Sequence, residues 1–397
     1  TVTNATTTGT AVVGGGVTIS ESGIEASGIG ITCANINGTQ IGGRRNIIIN
    51  GAMNVAQRGT SSTSNGYQSV DRFNISDNGV DEATTKAQVD VASGTTPYTE
   101  GFRKALKITN GNQTGGAGVT DYVQIFNRIE AQDLATSGWN YTSSSSFITL
   151  SFWIKSSVAQ AFSGSLRSSD GTQYSYKFDT PSLSANTWTK VIKTIPGNSN
   201  LTINNDNGIG MQVILYAFIG TTYTSSNANT ETWVTGATDT YSNDMTTTWY
   251  TTNDATFELT GVQLEVGSQV TAFEHRSFDE ELSLCQRYFQ KYTCSAQEWL
   301  YVESDNATHK WWQTYFNPMR AQPTVNVSDL STGSGATAAG SGGATVSSVS
   351  LVSSSSSDSV SGRSSFRVTF SGTWGSAYSV AHIDAWSGDS VTFSSEL

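Results

Sequence analysis

Asn46–Gly59, NIIINGAMNVAQRG, and Phe257–Arg276, FELTGVQLEVGSQVTAFEHR, are the two stretches that decide the fold. Both are rich in β-branched or alternating apolar residues and are ended by turn-prone or polar ones. They predict the first and last strands of one all-β unit spanning residues 45–276. The strand in the second stretch covers Phe257–Glu265, and between the two stretches lie further strand patterns at Tyr122–Ile129, Thr149–Ser156, Trp188–Ile195 and Met211–Ile219, with turns at Gly197-Asn198 and Asn205–Gly208. In 149–156, Leu150, Phe152 and Ile154 point one way while Ser151, Trp153 and Lys155 point the other. Antiparallel strands of this kind stack as two sheets over their alternating apolar residues, which predicts a β-sandwich of jelly-roll type.

Composition supports an all-β fold class and narrows the partners. Only 13% of the 397 residues are charged, yet 10 Trp, 15 Tyr and 16 Phe provide for large cores. Gly, Ser, Thr and Asn in bulk favour strands and turns over helices. The net charge of −11 and the lack of a Lys/Arg stripe argue against nucleic acid as a partner. No apolar run is long enough for a membrane span. Three cysteines, Cys33, Cys285 and Cys294, make no disulfide framework, although the last two are close enough in sequence to pair. So sparse a set suits assembly in a reducing cytoplasm.

The ends differ from the middle. Residues 1–44 carry short branched apolar pairs between glycines, including Val17, Ile19, Ile24, Ile29, Ile31 and Ile36, and almost no aromatics. A single chain cannot bury a core from such side chains. Three chains sharing one narrow interior can, so this segment predicts a homotrimeric fibre stem, with a flexible linker as the alternative. Residues 277–292 predict a connector helix. Ser277 stands three before Glu280, a capping-box pattern; Leu282, Cys285 and Phe289 recur on one face, and Arg287 and Lys291 follow at the negative end. Residues 293–397 predict a β-rich tip domain, with strands at Glu298–Val302 and Thr308–Phe316. Ser331–Ser357 reads as a loop or as a hairpin of small residues.

The bracketing segments resemble those of phage tail fibres, notably of cyanophages and other marine phages. There a stretch like NxIINGAMxVxQRG opens a carbohydrate-binding-module-like β-sandwich, and one like GVQLExGxxxTxFEHRxxxEELxxCQRYF closes it. Here these are Asn46–Gly59 and Gly261–Phe289. The weaker likeness of Met319–Val325 to an MRxxPTV strand, and of Glu396-Leu397 to some fibre ends, points the same way. The resemblance implies a tail fibre of the virion, assembled in the host cytoplasm and joined to other tail or baseplate proteins through its N-terminal side. Its implied role is to attach the phage to a host surface polysaccharide without enzymatic action. A structural fibre or decoration protein is one alternative, and a glycan-degrading tail protein another. Modules of this type often hold a structural calcium ion between first and last strands. Asn50, Ala52 and Thr260-Gly261-Val262 offer no acidic side chain for it, so no metal or other cofactor is expected.

No catalytic residue is singled out. His275, His309 and His382 lack partners at metal-ligand spacing, and no nucleophile or nucleotide motif appears. His275 reads as a domain-closing hydrogen bond. Glu130 with Asp133 and Glu280 with Glu281 are the carboxylate pairs closest to a glycosidase pattern, and Glu280–Glu281 already has a capping role. Sugars stack on exposed aromatics beside polar side chains. That assigns candidate ligand-binding residues to the 221–254 loop (Trp233, Tyr241, Trp249) and to the C-terminal region (Trp299, Tyr301, Trp311, Trp312, Trp374, Trp386).

Overall fold

The computed structural model describes residues 44–225, 230–235, 241–293, 319–321, 323–324, 390 and 392–397, and elsewhere only the backbone of strands. The expected stem, 1–44, contributes two backbone hairpins: β1 (Val17–Ser20) with β2 (Gly23–Ala26), and β3 (Asn35–Ile36) with β4 (Thr39–Gln40). The trimer predicted for that segment lies outside the described residues.

The central region is a two-sheet antiparallel sandwich. In chain order its elements are β5 (Ser61–Ser62), β6 (Phe73–Asn78), β7 (Thr85–Asp90), α1 (Thr96–Thr99), β8 (Lys104–Thr109), β9 (Tyr122–Glu130), α2 (Ala131–Ala135), β10 (Phe147–Ser156), β11 (Ser163–Ser168), β12 (Tyr174–Asp179), β13 (Thr189–Pro196), β14 (Ile209–Ile219), β15 (Trp233–Thr235), α3 (Thr248–Thr251) and β16 (Thr256–Val266). One sheet runs β13-β10-β16-β8-β7-β5 and the other β15-β12-β11-β14-β9-β6. The alternation read in β10 holds. Leu150, Phe152 and Ile154 are fully buried between the sheets, and Phe152 meets Phe178 of the opposite sheet at 6.4 Å between ring centroids. Trp153 points away from that core and joins a separate cluster with Phe102 and Ala105.

The bracket closes the sandwich by a different route from the one expected. β16 is a strand as predicted, but Asn46–Gly51 forms no strand. It runs beside β16 and substitutes for one. β8 pairs with β16 only over Thr256–Leu259. At Gly261 the backbone bulges with φ +63°, and a side chain there would lie 2.7 Å from Phe102. Beyond the bulge, Ile47 N donates to Leu264 O (2.9 Å) and Val262 N to Gly51 O (2.9 Å). Asn46 fills the gap with its side chain: Nδ2 donates to Val262 O (3.1 Å), while Oδ1 accepts from Leu264 N (3.1 Å) and Ile48 N (3.0 Å).

The FEHR segment then locks this arrangement. Arg276 donates to the carbonyls of Asn46 and Ile48, and pairs with Glu274 (2.9 Å) and Glu281 (3.4 Å). Glu274 accepts from the backbone N–H of Asn46 and Arg45 at 2.8 and 3.1 Å. Burial alone would raise the Glu274 carboxyl, but those N–H groups and Arg276 hold it below its ordinary value. His275 plays the closing part expected of it: its Nε2 lies 2.8 Å from Glu100 O, and its ring packs on Phe102 and Phe273.

The predicted helix is α4 (Phe278–Gln286), with Ser277 Oγ accepting from Glu280 N as the capping pattern requires. It stops earlier than 292, because Phe289–Thr293 is strand β17. Phe289 and Lys291 therefore leave the helical face and the helix end assigned to them, and Arg287 instead grips the buried Glu130 through two hydrogen bonds (2.7 and 2.8 Å). Cys285 is a buried free thiol, pushed well above the usual thiol range by burial; Cys294 lies outside the described residues.

The remaining strands are β18 (Glu298–Ser304), β19 (His309–Phe316), β20 (Thr324–Ser328), β21 (Val346–Val352), β22 (Ser364–Gly372), β23 (Val380–Ala385) and β24 (Ser390–Ser394). They form a five-stranded sheet, β21-β22-β19-β18-β23, and a three-stranded one, β17-β24-β20. Glu396 and Leu397 do not extend away from the sandwich. Glu396 pairs with Arg58 (3.2 Å) and Arg72, and Leu397 O accepts from Tyr67 (3.3 Å) and Arg128.

Two predictions test the closure. Arg276→Ala strips a buried network of its cation and is expected to cost about 3 kcal/mol of unfolding free energy, read from urea titration. Glu274 has a folded pKa below its unfolded value near 4.5, so its contribution is present above that pH and is lost as pH falls through the folded value. The wild type is expected to lose stability more steeply below pH 4.5 than Glu274→Gln does, by the same titration repeated across pH.

Candidate functional site: the outer face of the second sheet

In the second sheet every other residue faces away from the core, and register aligns these residues in rows. One row reads Asp179, Ser163, Tyr216, Gln124 and Ser76; the next Lys177, Ser165, Ile214, Phe126 and Asn74; the third Ser175, Arg167, Gln212 and Arg128. Tyr216, Ile214, Ser163, Ser165, Ser175 and Lys177 are buried on this face, while Asp179, Gln124, Phe126, Arg167, Gln212 and Arg128 are half-buried. The part that meets solvent thus sets a ring beside amides and charges, the pairing that sugar rings require of a protein surface. Ile214, Tyr216 and Ile219 form a buried apolar cluster of their own on this side of the sheet, covered by Tyr122, Phe126, Tyr223 and Met245.

Part of the 221–254 loop folds onto the face and extends it. Tyr241 N donates to Tyr223 O (2.7 Å), and Asn243 Nδ2 donates to Asp179 Oδ2 (2.7 Å). Tyr223 packs edge-on to Tyr122 at 6.1 Å and beside Tyr241 at 6.0 Å. Arg167 stacks over the Tyr241 ring at 4.6 Å and donates through Nη2 to Tyr216 OH (3.5 Å). The result is an arc, Tyr122–Tyr223–Tyr241–Arg167–Tyr216, running from strand to loop and back. Tyr241 is 36% exposed, while Gln124, Phe126, Gln212 and Arg167 are half-buried. Burial raises the Tyr216 phenol, against the lowering effect of Arg167, so its hydroxyl stays protonated at neutral pH. Nothing in the arc makes a nucleophile or an acid–base pair. It offers the Tyr241 ring with the half-buried Tyr122 and Tyr223, and hydrogen-bonding groups held in place by Tyr216, which is buried beneath them.

Of the aromatics predicted from sequence, Tyr241 belongs to this surface and two others do not. Trp249 is fully buried: its Nε1 donates to Thr256 O (3.0 Å) and its ring packs on Phe257. Trp233 is also buried, donating to Pro196 O (2.7 Å) and lying edge-on to Tyr176. Both indoles find their N–H partner indoors, which is why polar neighbours in sequence did not mean exposure. Trp299 and Tyr301 lie on β18 and Trp311 and Trp312 on β19; their side chains, and Trp374 and Trp386 entirely, lie outside the described residues. Arg167, Tyr216, Gln124 and Gln212 were missed. The strict alternation Tyr122, Gln124, Phe126, Arg128 in β9 was the available signal, since it places aromatic and long polar side chains on one face.

The carboxylate pairs weighed for hydrolysis have structural work. Glu130 is fully buried; burial would raise it, but Arg287 and its other hydrogen-bond donors hold it below its ordinary value. Glu281 accepts from Asn50 N (2.5 Å) and pairs with Arg276. The residues at the calcium position do not fit the ion. Asn50 uses its amide on the backbone of Val55 and Asp71, and the Asp71 carboxyl, pushed up to about 6 by burial, is held by Gln57.

A contrast in stability separates the two kinds of aromatic. Trp249→Ala is expected to lower unfolding free energy by about 4 kcal/mol, whereas Tyr241→Ala stays within about 0.5 kcal/mol of wild type, both from denaturant midpoints.

No protein-family model matches the chain, and no curated protein matches it. Among solved structures, 24 chains match. The enzymatically active domain of tailspike protein 4 of bacteriophage CBA120 aligns over 56% of this chain at 11% identity and a TM-score of 0.31. This chain spans only 21% of that one. A CBM4 structure aligns over 55% of this chain and 99% of its own, at 12% identity and a TM-score of 0.28. The N-terminal cellulose-binding domain of Cellulomonas fimi β-1,4-glucanase C aligns over 55% and 99%, at 10% identity and a TM-score of 0.26. At these scores the likeness assigns neither a ligand nor an activity to this chain.

Proposed function

We propose that the protein is a non-enzymatic glycan-binding fibre protein of a phage virion, which attaches the particle to a host surface polysaccharide through the outer face of the second sheet. One observation carries the binding part: the Tyr241 ring, exposed and stacked with Arg167 and Tyr223, beside the half-buried Gln124, Gln212 and Asp179, with Tyr216 buried beneath as support. Stacking faces and hydroxyl partners are present together, and the carboxylates Glu130 and Glu281 are engaged in ion pairs within the fold. The phage part rests on the resemblance of the bracketing segments. Each site of this kind binds weakly, and a fibre of three chains gains strength through several simultaneous contacts.

A structural role without a receptor site is the second reading, and a specific observation favours it. Asn46, Glu274, His275 and Arg276, which carry the resemblance, all serve to close the sandwich. The resemblance therefore speaks for a scaffold, and binding has to be tested directly. In affinity electrophoresis against host-envelope polysaccharide, Tyr241→Ala and Arg167→Ala are each expected to weaken retardation about fivefold, ~1 kcal/mol per lost ring contact. Wild-type retardation by no polysaccharide of a susceptible host would sink the binding reading and leave the structural one. Release of reducing ends from that polysaccharide would make the protein an enzyme.

A further inference from the structure

A pocket of about 410 Å3 lies where β17 and β24 meet the sandwich. Its floor follows from register. Phe289 pairs with Ser394 and Lys291 with Thr392, so all four side chains share one face of the β17–β24 pair. Its walls are Arg58 from the end of the opening bracket, Tyr67 and Gln68 from the segment after it, and Glu396 from the far end of the sequence. Arg58 lies flat over the Phe289 ring at 3.6 Å and faces Tyr67 at 5.8 Å. It donates through Nη2 to Glu396 (3.2 Å), while its buried Nη1 has no hydrogen-bond acceptor and only the more distant Asp71 carboxyl at 3.8 Å. Glu396 is neutralised twice, by Arg58 and by Arg72. Lys291 is exposed at the rim. The lining thus holds two cations against one already paired anion, a local positive excess in a chain of net charge −11.

We propose that this pocket is a second sugar site that takes one ring bearing a carboxylate, a hexuronic acid residue. The carboxylate goes toward Lys291 and Arg58, and the hydroxyls face Gln68, Thr392 and Ser394. The volume suits a ligand of this size, since small-molecule sites begin at roughly 300 Å3. Charge-assisted hydrogen bonds to a carboxylate are about twice as strong as neutral ones, which gives the acid its advantage over a neutral hexose. The assignment rests on the glycan-binding reading for its ligand class, but it uses residues that the sheet face does not share.

Saturation-transfer NMR and isothermal titration calorimetry on the full chain, with glucuronate and glucose as probes, test it. Glucuronate is expected to bind, with glucose weaker by about tenfold or more. Lys291→Glu is expected to weaken glucuronate by a similar factor with an unchanged melting curve, because Lys291 is exposed. Tyr241→Ala is expected to leave glucuronate binding intact. Absence of glucuronate binding, equal binding of glucose, or an unaffected Lys291→Glu variant each overturns the proposal. Because polymer binding and its loss in Tyr241→Ala are read separately, failure at the sheet face is distinguishable from failure at this pocket.

Discussion

A guanidinium taken out of water must find partners for its donors and its charge, and Arg276 finds them in the backbone it encloses. It holds the carbonyls of Asn46 and Ile48 and the carboxylates of Glu274 and Glu281. Without those contacts little holds the segment before Met53 along β16, because only two of its hydrogen bonds there are main chain to main chain and two more run through the Asn46 side chain. β16 sits inside its sheet between β10 and β8. An open half-edge beyond Gly261 would expose Val262 and Leu264 backbone groups to water, or leave them unpaired indoors. The clasp turns that half-edge into a closed one. Sheet, loop face and pocket all depend on it.

The same logic governs the end of the described chain. Glu396 accepts from Arg58 and Arg72, Tyr288 lies under Arg72 at 3.3 Å, and Arg320 binds the carbonyls of Ser395 and Asn207. Charged side chains from distant segments are thus brought together at one junction, where burial makes each pairing directional. This junction creates the Arg58 pocket as a by-product of closure. The C-terminal strand β24 pairs with β17, so the end of the described chain returns to Phe289.

Much of the fold was legible in the sequence because strands with one buried face carry period-two alternation. β9, β10, β14 and β16 were found within a residue or two. β11 and β12 were missed. Ser163–Ser168 reads SGSLRS and offers a single large apolar side chain, Leu166, so its alternation is too weak to read. Tyr174–Asp179, YSYKFD, does alternate, with Tyr174, Tyr176 and Phe178 opposite Ser175, Lys177 and Asp179, and was legible but passed over. Of the outward positions on these two strands, Arg167 and Asp179 stay half-buried and Ser163, Ser165, Ser175 and Lys177 are buried.

The sequence by itself determined that the chain is all-β, which side chains of the long strands enter the core, that Ser277 starts a helix, and that the two bracketing segments belong together. Local alternation and capping suffice for these, since each depends on neighbours in sequence. Only the tertiary structure decided that Asn46 replaces a strand with its side chain, that Trp233 and Trp249 are core, and that Tyr241 meets Arg167 and Tyr216. An aromatic flanked by Thr and Asn has the same local pattern whether its face turns inward or outward. Which way it turns is fixed by what packs against it from far along the chain, and that information is not local.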